Sequence, residues 1–467
     1  MGFNFKYLMN ISKISNNRYF YLLIFSTPII IFQGALVCKL YRISNFDSNL
    51  DFIIFLQALV TAIFSSYILR AAILKVLDQD LITEKKNDFK AIKISFIYYL
   101  VSIVLIYLAS NKGILDYKSY LNHWTIINQG LDPWIGTDNV YLPIHNIFAP
   151  LAAINNSLPK LIFACFFLIP MYFSSIFPLN FKRDLDKFSK LKIFILFAFS
   201  PFCLLVTAYY GNNDTLVAGL IVLSLCLSIS NLKKSNSVLS GISLALATMV
   251  KIYPIFISPL FILRKRKIDI TFFTSYLLSI ISILFTSIIF WGKSTLKSIF
   301  WATEMHSKHL SFFNFSRKIL GLNLDEYSIY AMALVLVIVL FLMFKNKIDL
   351  LPAVILTLSL GFTFYKLGHP QFFLFFFAVS PMTIRYLYDR KLDKNRRLFM
   401  SYLIWICYLN FYETFYQLYC NISRAYSHYI RGFGSIPLII FSTLMLIEVI
   451  KLLKKDQKAL SSESLSS

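Results

Sequence analysis

The sequence predicts an all-α membrane protein, built as a polytopic bundle of about twelve membrane-spanning helices. Of its 467 residues, 57% are hydrophobic and only 15% are charged, whereas soluble proteins contain about 45–50% apolar and about 25% charged residues. The apolar residues form runs of about 20, the length that a helix needs to cross a hydrocarbon layer about 30 Å thick. These observations exclude a water-soluble globular protein, and also a disordered chain, which would need low hydrophobicity.

The predicted spans alternate with short polar segments along the whole chain. They are centred near residues 30, 62, 101, 169, 200, 222, 280, 336, 357, 378, 409 and 443. Lys and Arg cluster in the segments on one side of this bundle, among them 70–93, 182–192, 264–267, 385–397 and 451–458. Because cytoplasmic loops are rich in Lys and Arg, we expect both termini to be cytoplasmic. The net charge of +23 is divided among these loops instead of forming one stripe, so no nucleic-acid partner is predicted.

Residues 238–263 depart from this alternation. The segment is apolar, but Lys233 and Lys234 precede it and the basic run 264–267 follows it, so a single crossing would place one basic cluster outside. A break at Lys251-Ile252-Tyr253-Pro254 divides it into halves of about 12 residues, each too short to span. We therefore expect a re-entrant hairpin, with a proline-kinked single span as the alternative.

This orientation places two long segments, 111–158 and 292–326, on the outer side, and all six histidines on or near that face. We expect the function to lie there. The chain then divides into N-terminal spans with a cytoplasmic loop (1–90), a membrane core that contains both outer segments (91–387), and C-terminal spans with a cytoplasmic tail (388–467).

Asp116 begins the polar part of the first outer segment, directly after a predicted span. A carboxylate at the wet mouth of a bundle can stay ionised and accept a proton from a sugar hydroxyl, as a general base does. The alternative is an N-cap of a short surface helix, because Asp is favoured at that position.

Three motifs occur in the order found in a known family. They are Asp116-Tyr117, Tyr120, Gly130, Asp132-Pro133-Trp134 and Tyr141-x-Pro143; then Tyr209-Tyr210-Gly211-Asn212-Asn213-Asp214, Gly241–Leu246 and Lys251-Ile252-Tyr253-Pro254; then Gly368-His369-Pro370-Gln371-Phe372. Over about residues 90–385 they resemble the polyprenyl-phosphate-mannose-dependent mannosyltransferases of glycosyltransferase family eighty-seven. The chain departs from that family at Trp134 and Phe372, where tyrosines are commoner, and in having two spans before the one that leads into Asp116.

The resemblance implies the C-type glycosyltransferase fold, a bundle of membrane helices with an extracytoplasmic active site. It implies transfer of a hexose, mannose in the family, from a polyprenyl-phosphate donor to a glycan or glycolipid acceptor of the cell envelope, with Asp116 as the base. The donor lipid, the acceptor and the bilayer are then the expected partners, and no cofactor is expected.

Four cations are candidates for binding the donor phosphate: Lys251, Arg317, Lys366 and His369. Lys251 ranks first, because an ionisable residue within an apolar segment is costly unless it has a partner; the alternative is a lysine satisfied by a carboxylate or by backbone carbonyls. Asp214 either caps the span that it opens or helps to bind the ligand. The motif residues Tyr117, Tyr120, Tyr253 and Gln371 complete the predicted substrate-binding set.

The second outer segment carries two further features. Lys308, Arg317 and Lys318 form a basic wall suited to an anionic donor. Glu304-x-His306-x-x-His309 brings three potential metal ligands close together, but such a site needs a further ligand. No metal residue is therefore assigned, and a divalent metal stays an alternative.

A transporter or flippase of lipid-linked saccharides is the alternative function, because a helix bundle with cations in its cavity also suits anionic cargo. Transporters of that kind are often built from internal repeats, and none is evident in this sequence. The outer segments also differ in length, which favours the enzyme over the transporter.

Overall fold

The computed structural model describes residues 48–79, 116–177, 184–230, 234–264, 267–345, 347–389, 392–420 and 427–464. The predicted spans near residues 30 and 101 lie outside these ranges. The described chain consists of α-helices joined by loops, with two short strand pairings. This confirms the predicted helical class.

The described helices are numbered in chain order. The first nine are α1 (Ser48–Gln79), α2 (Asp116–Asn128), α3 (Pro143–Asn146), α4 (Ala149–Ile154), α5 (Leu158–Ile176), α6 (Lys187–Ala198), α7 (Pro201–Leu204), α8 (Asp214–Ile229) and α9 (Lys234–Val250). The others are α10 (Ser258–Ile262), α11 (Ile270–Trp291), α12 (Lys297–Glu304), α13 (Phe312–Ile319), α14 (Ser328–Phe344), α15 (Leu350–Phe364), α16 (Leu374–Asp389), α17 (Leu392–Phe415) and α18 (Ser427–Ser464).

Shorter elements join several of these helices. The 3-10 turns are Tyr253–Ile257, Gly292–Leu296, Asp325–Tyr327 and Pro370–Phe373, and the π-helices are Leu205–Tyr210 and Tyr416–Cys420. Strand β1 (Leu263–Arg264) pairs antiparallel with β2 (Lys267–Ile268), and β3 (Lys308–His309) pairs parallel with β4 (Leu367–Gly368).

Five helical segments in the described ranges are long and apolar enough to cross a membrane. They are Phe52–Leu74, Leu158–Ile176, Ile270–Phe300, Asp325–Phe344 and Ile430–Glu448. A sixth crossing results if α6 and its continuation Pro201–Ala208, which meet at 58°, count as one span. The bend falls where Pro201 begins a new helix, since proline has no N–H to continue the previous one. These segments coincide with five or six of the predicted spans, those near 62, 169, 280, 336 and 443 and, if the bent pair is one span, that near 200. The predicted spans near 222, 357, 378 and 409 coincide with α8, α15, α16 and α17, which are not among these candidates, so the predicted count of about twelve is not confirmed.

Small and hydroxyl-bearing residues hold α8 at the centre of the bundle. A Cβ at Gly219 would collide with the backbone carbonyl of Phe166 on α5, so only glycine permits this close approach. Ser240 of α9 lies 2.8 Å from Ser224 and 2.7 Å from Ser228 of α8, measured between hydroxyl oxygens. Such contacts are the usual means by which membrane helices pack closely.

Segments predicted to share a side of the membrane lie together. Asp184 accepts hydrogen bonds from the guanidinium of Arg385 at 2.9 and 2.6 Å, and Tyr386 donates to Asp349 at 2.9 Å. All four residues belong to or flank the basic segments predicted to be cytoplasmic. Helix α16, about 24 Å long at 1.5 Å per residue, separates this end from Gln371 at the other.

Residues 234–269 turn back on themselves. Helix α9 ends at Val250 and the next turn begins at Tyr253, which places the break where the sequence predicts it. Ser237, near the start of α9, donates to Asp269, after the returning half, at 2.9 Å. The two ends of the segment therefore lie together and Lys251 lies at the far tip, the geometry expected of the predicted hairpin.

Candidate active site

A cavity of about 700 Å³ opens among the loops that contain the predicted site residues. Its polar and charged lining consists of Asp116, Ser119, Thr137, Asp138, Asn139, Asn212, Lys251, Lys297, Ser298, Lys308, His309, His369, Gln371 and Arg431. Its aromatic lining consists of Tyr141, Tyr210, Tyr253, Tyr365, Phe372 and Tyr416. A cavity of this volume is within the usual range for small-molecule sites.

Asp116 is the first residue of α2 and lies at the cavity surface. Its Oδ2 accepts hydrogen bonds from Nδ2 of Asn212 at 3.1 Å and from Nε2 of Gln371 at 3.3 Å. The three residues come from the three separate sequence motifs, so the fold brings all three motifs to one point. A carboxylate in the first turn of a helix also interacts favourably with the helix dipole.

The opposite face of α2 anchors Asp116 in the bundle. Tyr117, Tyr120 and Trp124 are buried on this face. The hydroxyl of Tyr117 donates to the backbone carbonyl of Asn156 at 2.6 Å, and that of Tyr120 donates to Oδ1 of Asn213 at 3.1 Å. Both hydroxyls are thus used inside the protein, and neither tyrosine lines the cavity.

Lys251, at the tip of the hairpin, forms an ion pair with Asp214 at the start of α8. The distance from Nζ to Oδ2 is 2.5 Å, and the two side chains are 13% and 1% exposed, respectively. The ammonium group also lies 5.4 Å from the ring centroid of Tyr141 and 5.5 Å from that of Phe372. Lys251 therefore lines the cavity with its charge already balanced by a carboxylate, which is the second of the two sequence interpretations.

A second carboxylate, Asp138, lies at the cavity beside His123. Nε2 of His123 is 2.7 Å from Oδ1 of Asp138, and Ser119 donates to Oδ2 at 3.0 Å. The hydrogen bond from His123 holds the pKa of Asp138 below its usual value. Burial lowers the pKa of His123, although the carboxylate acts in the opposite direction. At neutral pH the cluster therefore consists of a charged carboxylate and a neutral imidazole.

Strands β3 and β4 hold two histidines side by side at the cavity. The ring centroids of His309 and His369 are 4.6 Å apart, and His309 has a φ of 57°, uncommon for a residue with a side chain. Gly368, the partner of His309 in the pairing, is necessary because a Cβ there would collide with the carbonyl of Leu310. Burial lowers the pKa of both imidazoles, that of His369 to about 3, so both are neutral at pH 7.

Four cationic side chains line the cavity: Lys251, Lys297, Lys308 and Arg431. Lys297 donates to the backbone carbonyls of Trp134 at 3.0 Å and Thr137 at 3.3 Å. These contacts join the two outer segments that the sequence predicts to carry the function.

Arg317 lies behind the cavity lining. Its Nε donates to the hydroxyl of Ser307 at 3.1 Å and its Nη2 to the carbonyl of the same residue at 2.5 Å. It thereby fixes the loop that leads into Lys308. Lys366, the other cation considered from the sequence, is also not among the lining residues.

The structure thus divides the predicted site residues into two sets. Those that line the cavity are Asp116, Lys251, Tyr253, His369 and Gln371. Those that lie behind it are Tyr117, Tyr120, Asp214 and Arg317, which contact Asn156, Asn213, Lys251 and Ser307, respectively.

Several lining residues were not singled out from the sequence, notably Asp138, Lys297, Tyr416 and Arg431. Asp138 and Lys297 lie in the predicted outer segments, where their charge was the available signal. Tyr416 and Arg431 belong to the predicted C-terminal spans. The sequence relates them to the cavity only through their positions near the predicted outer ends of those spans.

The alternative metal site finds no support among the described side chains, where no three His, Cys, Asp or Glu residues converge. His306 is 72% exposed, whereas His309 is half-buried and contacts His369 and Tyr416.

Comparison with known proteins points to a transferase. No curated protein matches the chain significantly. The family model of glycosyltransferase family 87 matches residues 145–367. The matched region contains Asp214, Lys251 and Arg317, whereas Asp116 precedes it and Tyr416 and Arg431 follow it. The similarity to glycosyltransferase family 87 supports a membrane-embedded glycosyltransferase.

Proposed function

We propose that this protein transfers a hexose from a polyprenyl-phosphate sugar to a hydroxyl group of a glycan or glycolipid acceptor. Mannose is the sugar that the sequence resemblance implies. The transfer takes place on the extracytoplasmic side of the membrane, because the cavity is formed by the segments that the Lys and Arg distribution predicts to be outside.

The observation that carries this proposal is the position of Asp116. The carboxylate lies in a cavity large enough for a phosphosugar, and two amide groups orient it by donating to the same oxygen, Oδ2. These amide contacts do not involve Oδ1. A fixed carboxylate at the surface of a cavity is what a general base needs to take a proton from a bound hydroxyl group.

In the proposed reaction the acceptor hydroxyl oxygen attacks the anomeric carbon of the donor sugar. The new carbon–oxygen bond forms as the bond from the anomeric carbon to the phosphate oxygen breaks, and the polyprenyl phosphate leaves with the bonding electrons. The hydroxyl proton passes to Asp116. Negative charge develops on the departing phosphate, and cations at the cavity stabilise it.

The charge of the cavity suits such a donor. Lys297, Lys308 and Arg431 contribute three positive charges, since that of Lys251 is balanced by Asp214, whereas Asp116 and Asp138 contribute two negative ones. An anionic donor is thus attracted to the cavity as a whole. A flippase of lipid-linked saccharides is not favoured, since the family match is to transferases.

Donor profiling tests this function. Membranes that contain the protein, and matched membranes that lack it, receive a panel of radiolabelled polyprenyl-phosphate hexoses and nucleotide hexoses together with an acceptor extract. We expect consumption of one polyprenyl-phosphate hexose, with its label recovered in the acceptor, only where the protein is present. Consumption of a nucleotide hexose, or movement of an intact lipid-linked sugar across the membrane without transfer, would contradict the proposal.

A further inference from the structure

We propose that Lys308 and Arg431 bind the phosphate group of the lipid-linked donor, so that the C-terminal helices beyond the family match complete the active site. This inference rests on the proposed function and assigns one part of the substrate to one wall of the cavity. It also extends the functional core past residue 387, where the sequence analysis ends it.

The other two lining cations are already engaged by the protein. Lys251 is paired with the buried carboxylate of Asp214 at 2.5 Å. Lys297 donates to two backbone carbonyls, those of Trp134 and Thr137. A phosphate at either lysine would compete with a contact that the fold provides.

Lys308 and Arg431 have no such compensation. Within the described ranges neither forms an ion pair with a carboxylate, and Nε of Arg431 is buried without a hydrogen-bond partner. A buried N–H of a charged group that lacks a partner is unfavourable. A bound anion at this wall would supply the missing acceptor.

The cations at this wall also repel one another. The pKa of Lys308 is lowered by partial burial and by the positive charges of Arg317 and Arg431. The neighbouring imidazoles of His309 and His369 have lowered pKa values and add no charge at pH 7. An anion bound between Lys308 and Arg431 would turn this repulsion into attraction.

The fold holds the two cations in a defined relation to each other. The guanidinium carbon of Arg431 lies 5.2 Å from the ring centroid of Tyr416, and the hydroxyl of Tyr416 lies 3.2 Å from Nδ1 of His309. His309 directly follows Lys308 on β3, and α18, which carries Arg431, packs against β3. Tyr416 therefore links the guanidinium of Arg431 to His309, the neighbour of Lys308 on β3.

The chemistry of the two residues suits a phosphate monoester or diester. The planar guanidinium can donate two parallel hydrogen bonds to phosphate oxygens, and the ammonium group acts as a mobile point charge. Both would stabilise the charge that the phosphate gains as the bond to the sugar breaks.

Binding of farnesyl phosphate to the purified full-length protein in mild detergent tests the assignment, with farnesol and inorganic phosphate as separate probes. We expect wild-type protein to bind farnesyl phosphate much more tightly than either probe. Arg431→Gln and Lys308→Gln should each weaken its binding about 10- to 100-fold, the range for a lost charged hydrogen bond. Arg431→Lys should recover part of the loss, and Lys293→Gln, which removes an exposed charge outside the lining, should leave binding unchanged.

The outcomes separate this inference from the proposed function. The phosphate assignment would be overturned, even if sugar transfer is found, by no binding of farnesyl phosphate to wild-type protein, by equal binding of farnesol, or by unaltered binding of farnesyl phosphate to both glutamine variants. Equal binding of inorganic phosphate would overturn the assignment of the site to a lipid-linked phosphate. Binding that depends on Lys308 and Arg431 would uphold it even if none of the donors in the profiling panel is consumed. Thermal unfolding of each variant shows which of them folds. If Arg431→Gln does not fold, Lys308→Gln, at a half-buried position of β3, serves as the test case.

Discussion

Asp214 holds Lys251 at the cavity through a buried ion pair of 2.5 Å. The two residues lie on different elements, α8 and the tip of the hairpin after α9, so the pair fixes the hairpin against the centre of the bundle. It also keeps the ammonium group beside Tyr141 and Phe372. The pair is therefore both a structural contact and part of the cavity wall.

Breaking this pair from one side should destabilise the protein. Asp214→Asn or Lys251→Met leaves the other charge without a partner, which costs about 3–5 kcal/mol for a buried pair. The double variant Asp214→Asn with Lys251→Met removes both charges and should lose much less than the sum of the two single losses. Denaturant unfolding in detergent measures all three free energies. Additive losses would show that the two side chains do not interact.

The β3–β4 pairing should depend on the absence of a side chain at Gly368. Gly368→Ala forces a Cβ against the carbonyl of Leu310, so the strand that carries His309 must shift, at a cost of about 1–3 kcal/mol for overpacking. Gly361→Ala is the matched control, because its nearest neighbour would be Met332 at an ordinary 3.8 Å.

In the same unfolding assay Gly361→Ala should be neutral or stabilising by about 0.5–1 kcal/mol, since alanine favours a helix interior. Equal stability of Gly368→Ala and Gly361→Ala would contradict the close contact between β4 and Leu310.

Stability should fall in acid because two half-buried histidines have lowered pKa values. Burial lowers the pKa of His369 to about 3 and that of His309 in the same direction, whereas an exposed imidazole titrates near 6.5. A lowered native pKa means that the unfolded chain binds more protons between these values. The stabilising contribution is therefore complete above about pH 6.5 and is lost progressively as pH falls towards about 3.

Thermal unfolding between pH 8 and pH 4 tests this prediction. His369→Gln should flatten the decline in melting temperature relative to the wild type. A decline of the same slope in both proteins would show that His369 does not contribute to it.

The helical elements could be predicted because each depends on a local pattern. An apolar run predicts a span wherever it occurs, and α5, α11, α14 and α18 lie where such runs do. The break at Lys251-Ile252-Tyr253-Pro254 could also be predicted, since a lysine and a proline in an apolar segment are strong local signals. The hairpin then follows from the length of the two halves, each of which is too short to cross the membrane.

The composition of the site could be predicted only in part. Asp116, Lys251 and His369 belong to motifs with a recognisable order, and all three line the cavity. Arg431 carries no such motif, and its relation to Lys308 depends on how α18 packs against β3. Tyr120 belongs to the predicted substrate-binding set, and Asp214 is predicted either to cap its helix or to bind the ligand; both lie behind the lining, where they contact Asn213 and Lys251. Sequence spacing does not specify such long-range partners.

The role of Asp116 as the base is tested most directly by single-turnover transfer with purified protein and the donor that profiling identifies. We expect Asp116→Asn to lower the rate by about 10²- to 10⁴-fold, the contribution of a general base, while farnesyl phosphate still binds. Asp349→Asn, at the other end of the bundle, should transfer sugar at the wild-type rate. A folded Asp116→Asn variant that transfers sugar as fast as the wild type would show that Asp116 is not the base.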